Sequence, residues 1–236
     1  MTRVLITGAF SPIGRAIGIR LAGLGLELVL HYHRNDPAAE SSYLESLRQA
    51  GSSSLETGQA DFRRPDKLED WWHSLTEHRP LDAIIHNAAV FYPVPFARTA
   101  PADWNTFLSI NLVAPACLSE FFLQQTHFTD REPGRMIFMV DIYADKVLPG
   151  YLPYAVSKAA LKSLIRNMAR QAGNRFCING ISPGIVNPDT PDSVIRRSVT
   201  QTPVPAEEVA SACAFLLQQR AINGEIIRID GGKSLF

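Results

Sequence analysis

Arg3-Val4-Leu5-Ile6-Thr7-Gly8-Ala9-Phe10-Ser11-Pro12-Ile13-Gly14 opens the chain with an apolar run that stops at one glycine and soon reaches a second. Arg3–Thr7 reads as a strand. Ile13, Ile17, Leu21 and Leu24 then recur at helical spacing, so Ile13–Leu24 reads as a helix. Glycine between the two lets the turn take positive φ and lets backbone come close to a ligand. The helix start behind it offers free N–H groups and a partial positive charge, the features that bind phosphate. Two glycines alone are a weak signal, which gains weight only if a strand–helix–strand unit follows.

It does follow. Leu28–Tyr32, Ser54–Ala60, Leu81–His86, Arg135–Val140, Arg175–Ile181 and Glu225–Ile229 read as further strands. Pro37–Ala50, Pro65–His78, Pro101–Gln125, Tyr151–Ala172 and Pro205–Gln219 read as helices between them. Leu81–His86 is almost continuously apolar, as expected of a strand covered by helices on both faces. The alternation implies an α/β fold: one doubly wound parallel sheet of seven strands, in one domain over 1–236. Ser182–Pro205, with five prolines, follows the sixth strand, on the side where ligands sit in such sheets. It reads as a mobile loop over a substrate.

Composition narrows the function classes. The 236 residues carry 23 Lys plus Arg against 23 Asp plus Glu. Zero net charge disfavours a nucleic-acid partner, which calls for clustered positive charge. Cys117, Cys177 and Cys213 show no metal or disulfide spacing and read as buried small residues; no metal is expected. Met1-Thr2-Arg3 leads straight into the first strand, and the apolar stretch Leu21–Leu30 is broken by Gly23, Gly25 and Glu27. The expectation is a cytoplasmic protein with no membrane partner.

The strand ends suggest a dinucleotide. His33, Arg34 and Asn35 close the second strand, where a cation accommodates a 2′-phosphate, although Asp36 is close by. Asp61, beside Phe62, follows the third strand and can bond an adenine amine, or simply cap the next turn. Asn87, Ala88 and Ala89 end the fourth; small residues there let a cofactor lie against backbone. Tyr154 and Lys158 lie four apart on one face of a helix. A lysine ammonium beside the phenol is expected to stabilise phenolate and bring the acid nearer neutrality.

Together the glycine turn, Asn87-Ala88-Ala89, Asn111, Tyr154/Lys158, Pro183-Gly184 and Asp230-Gly231-Gly232 resemble the short-chain dehydrogenase/reductase superfamily over essentially the whole chain. The resemblance implies a Rossmann-type sheet and a homotetramer. It implies a cofactor held by Gly8, Ser11, Pro12, Ile13, Gly14, Tyr154, Lys158, Pro183, Gly184 and Ile185 with the strand-end residues above. It also implies that Asn111 holds a water in a proton relay with Lys158.

One position departs from that pattern. The superfamily usually has a serine 13 residues before the tyrosine, and here that residue is Asp141. Aspartate there resembles pteridine reductases and bacterial dihydromonapterin reductases, as do Leu30-His31-Tyr32-His33-Arg34 and Phe91-Tyr92-Pro93. Pro12 stands where those enzymes carry a basic phosphate contact, which puts more weight on Arg34. Ala89 stands where they carry a serine. The resemblance implies NADPH-dependent reduction of a 7,8-dihydropterin, dihydromonapterin first and dihydrofolate or dihydrobiopterin next. Phe91 would stack on the pterin, Tyr151 would line the pocket, and Asp141 would assist protonation beside Tyr154. The alternatives are a general carbonyl or alcohol oxidoreductase and a non-catalytic dinucleotide sensor.

Overall fold

The structure, a computed structural model, describes residues 2–34, 38 and 40–236. Asn35, Asp36, Pro37 and Ala39 fall outside the described residues, and with them the Asn35 cofactor contact; the second helix begins at Ser41 rather than Pro37.

Seven strands form one parallel sheet in the order β3-β2-β1-β4-β5-β6-β7. They are β1 (Arg3–Ile6), β2 (Glu27–Tyr32), β3 (Ser54–Gln59), β4 (Ala83–His86), β5 (Gly134–Met139), β6 (Phe176–Pro183) and β7 (Ile226–Ile229). The helices are α1 (Pro12–Ala22), α2 (Ser41–Ala50), α3 (Leu68–Thr76), α4 (Pro101–Leu108), α5 (Ala114–Leu123), α6 (Leu152–Gln171), α7 (Asp192–Ile195) and α8 (Ala206–Gln218). Strand alternation sends side chains to two cores. Val4, Ile6, Ala83, Ile85 and Ile137 pack with residues of α1, α2 and α8. Leu5, Ile84, Met136 and Phe138 pack with residues of α3, α5 and α6 on the other face. Chain order reverses between β1 and β4, and the crevice beyond their C-terminal ends is where such sheets hold ligands.

Two expectations change. The Pro101–Gln125 helix is divided by a π-helical turn at Ser109–Val113, which carries Asn111. Such one-turn widenings cluster at functional sites. The run Pro101–Leu123 is long and apolar enough to cross a membrane, yet Phe107, Asn111, Leu118 and Phe122 on it are buried within the fold. The expected loop 182–205 is not wholly irregular: β6 extends through Pro183, α7 lies within the segment, and Val204 N–H donates to Ile185 O at 2.7 Å.

Two histidines are buried neutral. His86 stacks on Phe138, and its Nε2 lies 3.1 Å from Ser119 Oγ. Ser119 donates to Pro115 O, so its oxygen accepts from His86 Nε2–H. Burial pushes the His86 pKa down to about 3 and that of His31 down to about 4. In the unfolded chain both rings take a proton near pH ~6.5. Stability is therefore lost as pH falls below that value, by up to about 1.4 kcal/mol per pH unit for each ring. Asp141, raised by burial, works in the opposite sense at the acid end. Urea unfolding at pH 7, 6 and 5 should show the midpoint falling across the series; a flat midpoint contradicts the assignment.

Candidate active site

The β1–α1 turn is gripped from β4. Thr7 Oγ1 accepts from the N–H groups of Asn87 and Ala88, at 2.9 and 3.0 Å. Asn87 Nδ2 lies within hydrogen-bond distance of Thr7 O, Gly8 O and Ser11 Oγ. Gly8 sits at φ +63°, and a Cβ there would stand 2.9 Å from Ala88 Cα. A Cβ on Gly14 would stand 2.4 Å from Gly8 O, so that glycine serves close packing of α1. Ser11 caps α1 by accepting from Gly14 N at 3.1 Å. Pro12 has no N–H, which leaves Ile13 to present a first-turn N–H to a ligand.

Over this turn lies a cleft of about 620 Å³, within the usual range for small-molecule sites. Gly8, Ser11, Pro12, Ile13, His33, Asp61, Phe62, Asn87, Ala88, Ala89 and Phe91 all line it. A dinucleotide fits this set, with its pyrophosphate at the α1 start where the Gly8 cradle leaves no room for a side chain. Pro183, Gly184 and Ile185 do not line it; Val186, Asn187 and Pro188 supply that wall. Gly184 instead packs against Asp230. Arg34 is exposed and does not line it either. The cation beside Asp61 and His33 is Arg63, which the sequence alone did not single out. Its Nη2 lies 2.6 Å from Asp61 Oδ2 and 3.5 Å from His33 Nε2. Arg63 holds the Asp61 carboxyl down to about 2.

Tyr154, Lys158, Asp141 and Tyr151 do not line the cleft either; they lie behind Phe91, which does, and there Tyr154 OH donates to Asp141 Oδ2 at 2.6 Å. Asp141 Oδ1 accepts from Tyr143 N–H at 2.9 Å. Burial, then the Asp141 charge, raises the Tyr154 pKa well above its ordinary value. The expected lowering of that pKa by Lys158 is thus reversed. Lys158 Nζ is buried and donates to Met139 O at 2.7 Å, which leaves two of its three donors for another ligand. Desolvation pushes its pKa down to about 8.

Asn111 is held on both sides. Its Oδ1 accepts from Val90 N–H, and its Nδ2 donates to Val90 O and Ser157 Oγ. Both donor hydrogens are used, so this side chain braces the site, and its Oδ1 keeps one lone pair. Ser157 passes the brace on by donating to Tyr154 O at 2.7 Å. Phe91 stacks on Tyr151, with centroids 4.6 Å apart and planes 17° apart, and meets Tyr154 edge-on. Phe91 remains 54% exposed, so its ring is open to a flat ligand.

The family described as Enoyl-(Acyl carrier protein) reductase matches residues 8–234. Gluconate 5-dehydrogenase of Gluconobacter oxydans is 27% identical, over 98% of this chain and 93% of that protein. Pteridine reductase 1 of Leishmania tarentolae is 30% identical, over 98% and 96%. A short-chain dehydrogenase/reductase from Serratia marcescens superposes with a TM-score of 0.89 at 28% identity, over 99% and 98% of the two chains. FolM alternative dihydrofolate reductase 1 from Brucella suis, solved with NADP, superposes with a TM-score of 0.84 at 23% identity, over 100% and 96%.

The carboxylate's hold on the phenol can be measured. Asp141→Asn removes the charge and should lower the Tyr154 ionisation by about 1–3 pH units, read by NMR of ring-labelled tyrosine. An unmoved or raised ionisation contradicts the pairing.

Proposed function

The chain belongs to the short-chain dehydrogenase/reductase family, and within it we propose that it is an NADPH-dependent reductase of the C=N bond of a 7,8-dihydropterin. The observation that carries this reading is the Tyr154–Asp141 pair, a buried phenol bonded to a half-buried carboxyl at 2.6 Å. A ketone oxygen takes its proton as hydride arrives, and a neutral hydroxyl beside it suffices. A C=N bond accepts hydride more readily once its nitrogen is protonated, so an acid beside that nitrogen helps. Asp141, raised by burial, is such an acid.

When bound, the reduced dinucleotide supplies the hydride that adds to C6 of the ring. The C6=N5 double bond becomes a single bond, and N5 takes a proton from the Tyr154–Asp141 pair, which solvent replenishes. Tyr143 N–H holds the carboxyl in place. Lys158 offers its remaining donors to ribose hydroxyls. Phe91, backed by Tyr151, offers a face to the pterin. Arg63, beside His33 at the cleft's edge, supplies positive charge for a 2′-phosphate, which supports NADPH over NADH. Pteridine reductase 1, at 30% identity over nearly the whole chain, agrees with the substrate class. The likeness to gluconate 5-dehydrogenase favours the second reading, a carbonyl or alcohol oxidoreductase.

The test is a steady-state assay with NADPH against dihydromonapterin, dihydrobiopterin, dihydrofolate, oxidised biopterin and a keto-sugar. The dihydropterins should be turned over, and Asp141→Ser should lower their kcat/KM about 100-fold or more. Turnover of the keto-sugar but no pterin, or a fully active Asp141→Ser, contradicts the reading. Phe91→Ala should raise the pterin KM about tenfold, as loss of roughly 1–1.5 kcal/mol of stacking implies.

A further inference from the structure

We propose that His31 is a positioning residue for the cofactor, holding the phosphate-binding turn and the adenine wall as two sides of one cleft. This role lies outside the residues assigned above and rests only on reading the cleft as a dinucleotide site.

His31 lies on β2, between the two walls, and is 2% exposed. Its Nδ1 accepts from Gly8 N–H at 3.1 Å, and its Nε2 lies 3.1 Å from Ala60 O. A backbone N–H can only donate and a carbonyl can only accept, so one tautomer satisfies both: proton on Nε2, lone pair on Nδ1. The same residue's carbonyl accepts from Ala9 N–H at 3.0 Å. His31 therefore takes two successive amides of the turn, while Asn87 takes its carbonyls from the opposite side. Those two grips set the peptide planes around Gly8, and with them the path from β1 into the start of α1.

The other arm reaches the adenine wall. Ala60 immediately precedes Asp61 and Phe62, both of which line the cleft. Phe62 lies flat on the imidazole, with centroids 4.1 Å apart and planes 7° apart, and Trp71 closes the edge at 5.3 Å. An apolar residue at this position leaves a half-buried N–H and a half-buried C=O without their imidazole partner, at opposite sides of one cleft. A mere core histidine needs no such bridge. Here each hydrogen bond ends on backbone adjoining a lining residue.

Two substitutions separate the arms. In His31→Asn the amide oxygen stands near the Nδ1 position and keeps the Gly8 bond. In His31→Gln the longer side chain reaches toward Ala60 and gives up Gly8. Titration of each purified protein with NADPH and NADH, followed by nicotinamide fluorescence, should give dissociation constants within about threefold of wild type for His31→Asn. His31→Gln should bind both about tenfold more weakly, since the turn serves the pyrophosphate common to both. Its kcat at saturating NADPH should be retained. Equal affinities in the two variants, the reverse order, or a loss confined to NADPH overturns the proposal. Wild-type protein that binds neither nucleotide overturns the dinucleotide reading instead. A measurement without substitution stands beside these: ¹⁵N NMR of the wild-type imidazoles should show His31 with its proton on Nε2 and an Nδ1 signal that moves when NADPH is added. A proton on Nδ1, or a signal indifferent to NADPH, overturns the proposal.

Discussion

A phenol hydroxyl bonded to a half-buried carboxyl sets the character of this site. Tyr154 and Asp141 are 2.6 Å apart; the carboxylate charge holds the phenol proton on, while burial raises the carboxyl against the opposing pull of the Tyr154 hydrogen bond. Much of the surrounding structure keeps that pair in place. Tyr143 N–H fixes one carboxyl oxygen, and Asn111, on its widened turn, reaches Tyr154 O through Ser157. Lys158 is anchored on Met139 O, within the strand that delivers Asp141. In the proposed function this arrangement supplies a proton instead of preparing a phenolate.

The sheet explains why the pair and the cleft meet. β1 and β4 diverge in chain order, so their C-terminal ends leave a crevice that no crossing helix fills. The β1–α1 turn enters from one side and the Asn87–Ala89 strand end from the other. β5 then carries Asp141 to the same edge, and α6 returns Tyr154 and Lys158 over it. The aromatic group of Phe91, Tyr151 and Tyr154 forms at this edge because the bridge between Val94 and Tyr151 ties the segment after β4 to the start of α6.

Much of this was legible in the residues themselves. The glycine turn, the strand–helix alternation, the four-residue step from Tyr154 to Lys158 and the aspartate 13 before Tyr154 are local patterns, and each lies where its pattern implied. The π-helical turn was not legible, because apolar periodicity is helical on both sides of Asn111 and one extra residue barely disturbs it. The Lys158–Met139 contact and the reversed shift of Tyr154 depend on burial, which pairwise spacing does not carry. Arg63 looks like any solvated loop charge until β3 places it beside His33 and Asp61. His31 stands in the stretch Leu30–Arg34 that carries the family resemblance, yet only the closeness of Gly8 and Ala60 shows what its two nitrogens hold.

The claim that the Tyr154–Asp141 pair delivers the proton to a ring nitrogen is tested most directly by the pH dependence of kcat/KM for a dihydropterin under saturating NADPH. Burial raises the carboxyl, so its protonated form is present on the acid side and lost as pH rises. The account predicts activity that declines as pH rises in the wild-type enzyme, with the decline abolished in Asp141→Asn along with most of the rate. A profile that is flat or rises with pH, or one whose shape survives removal of the carboxyl, contradicts it.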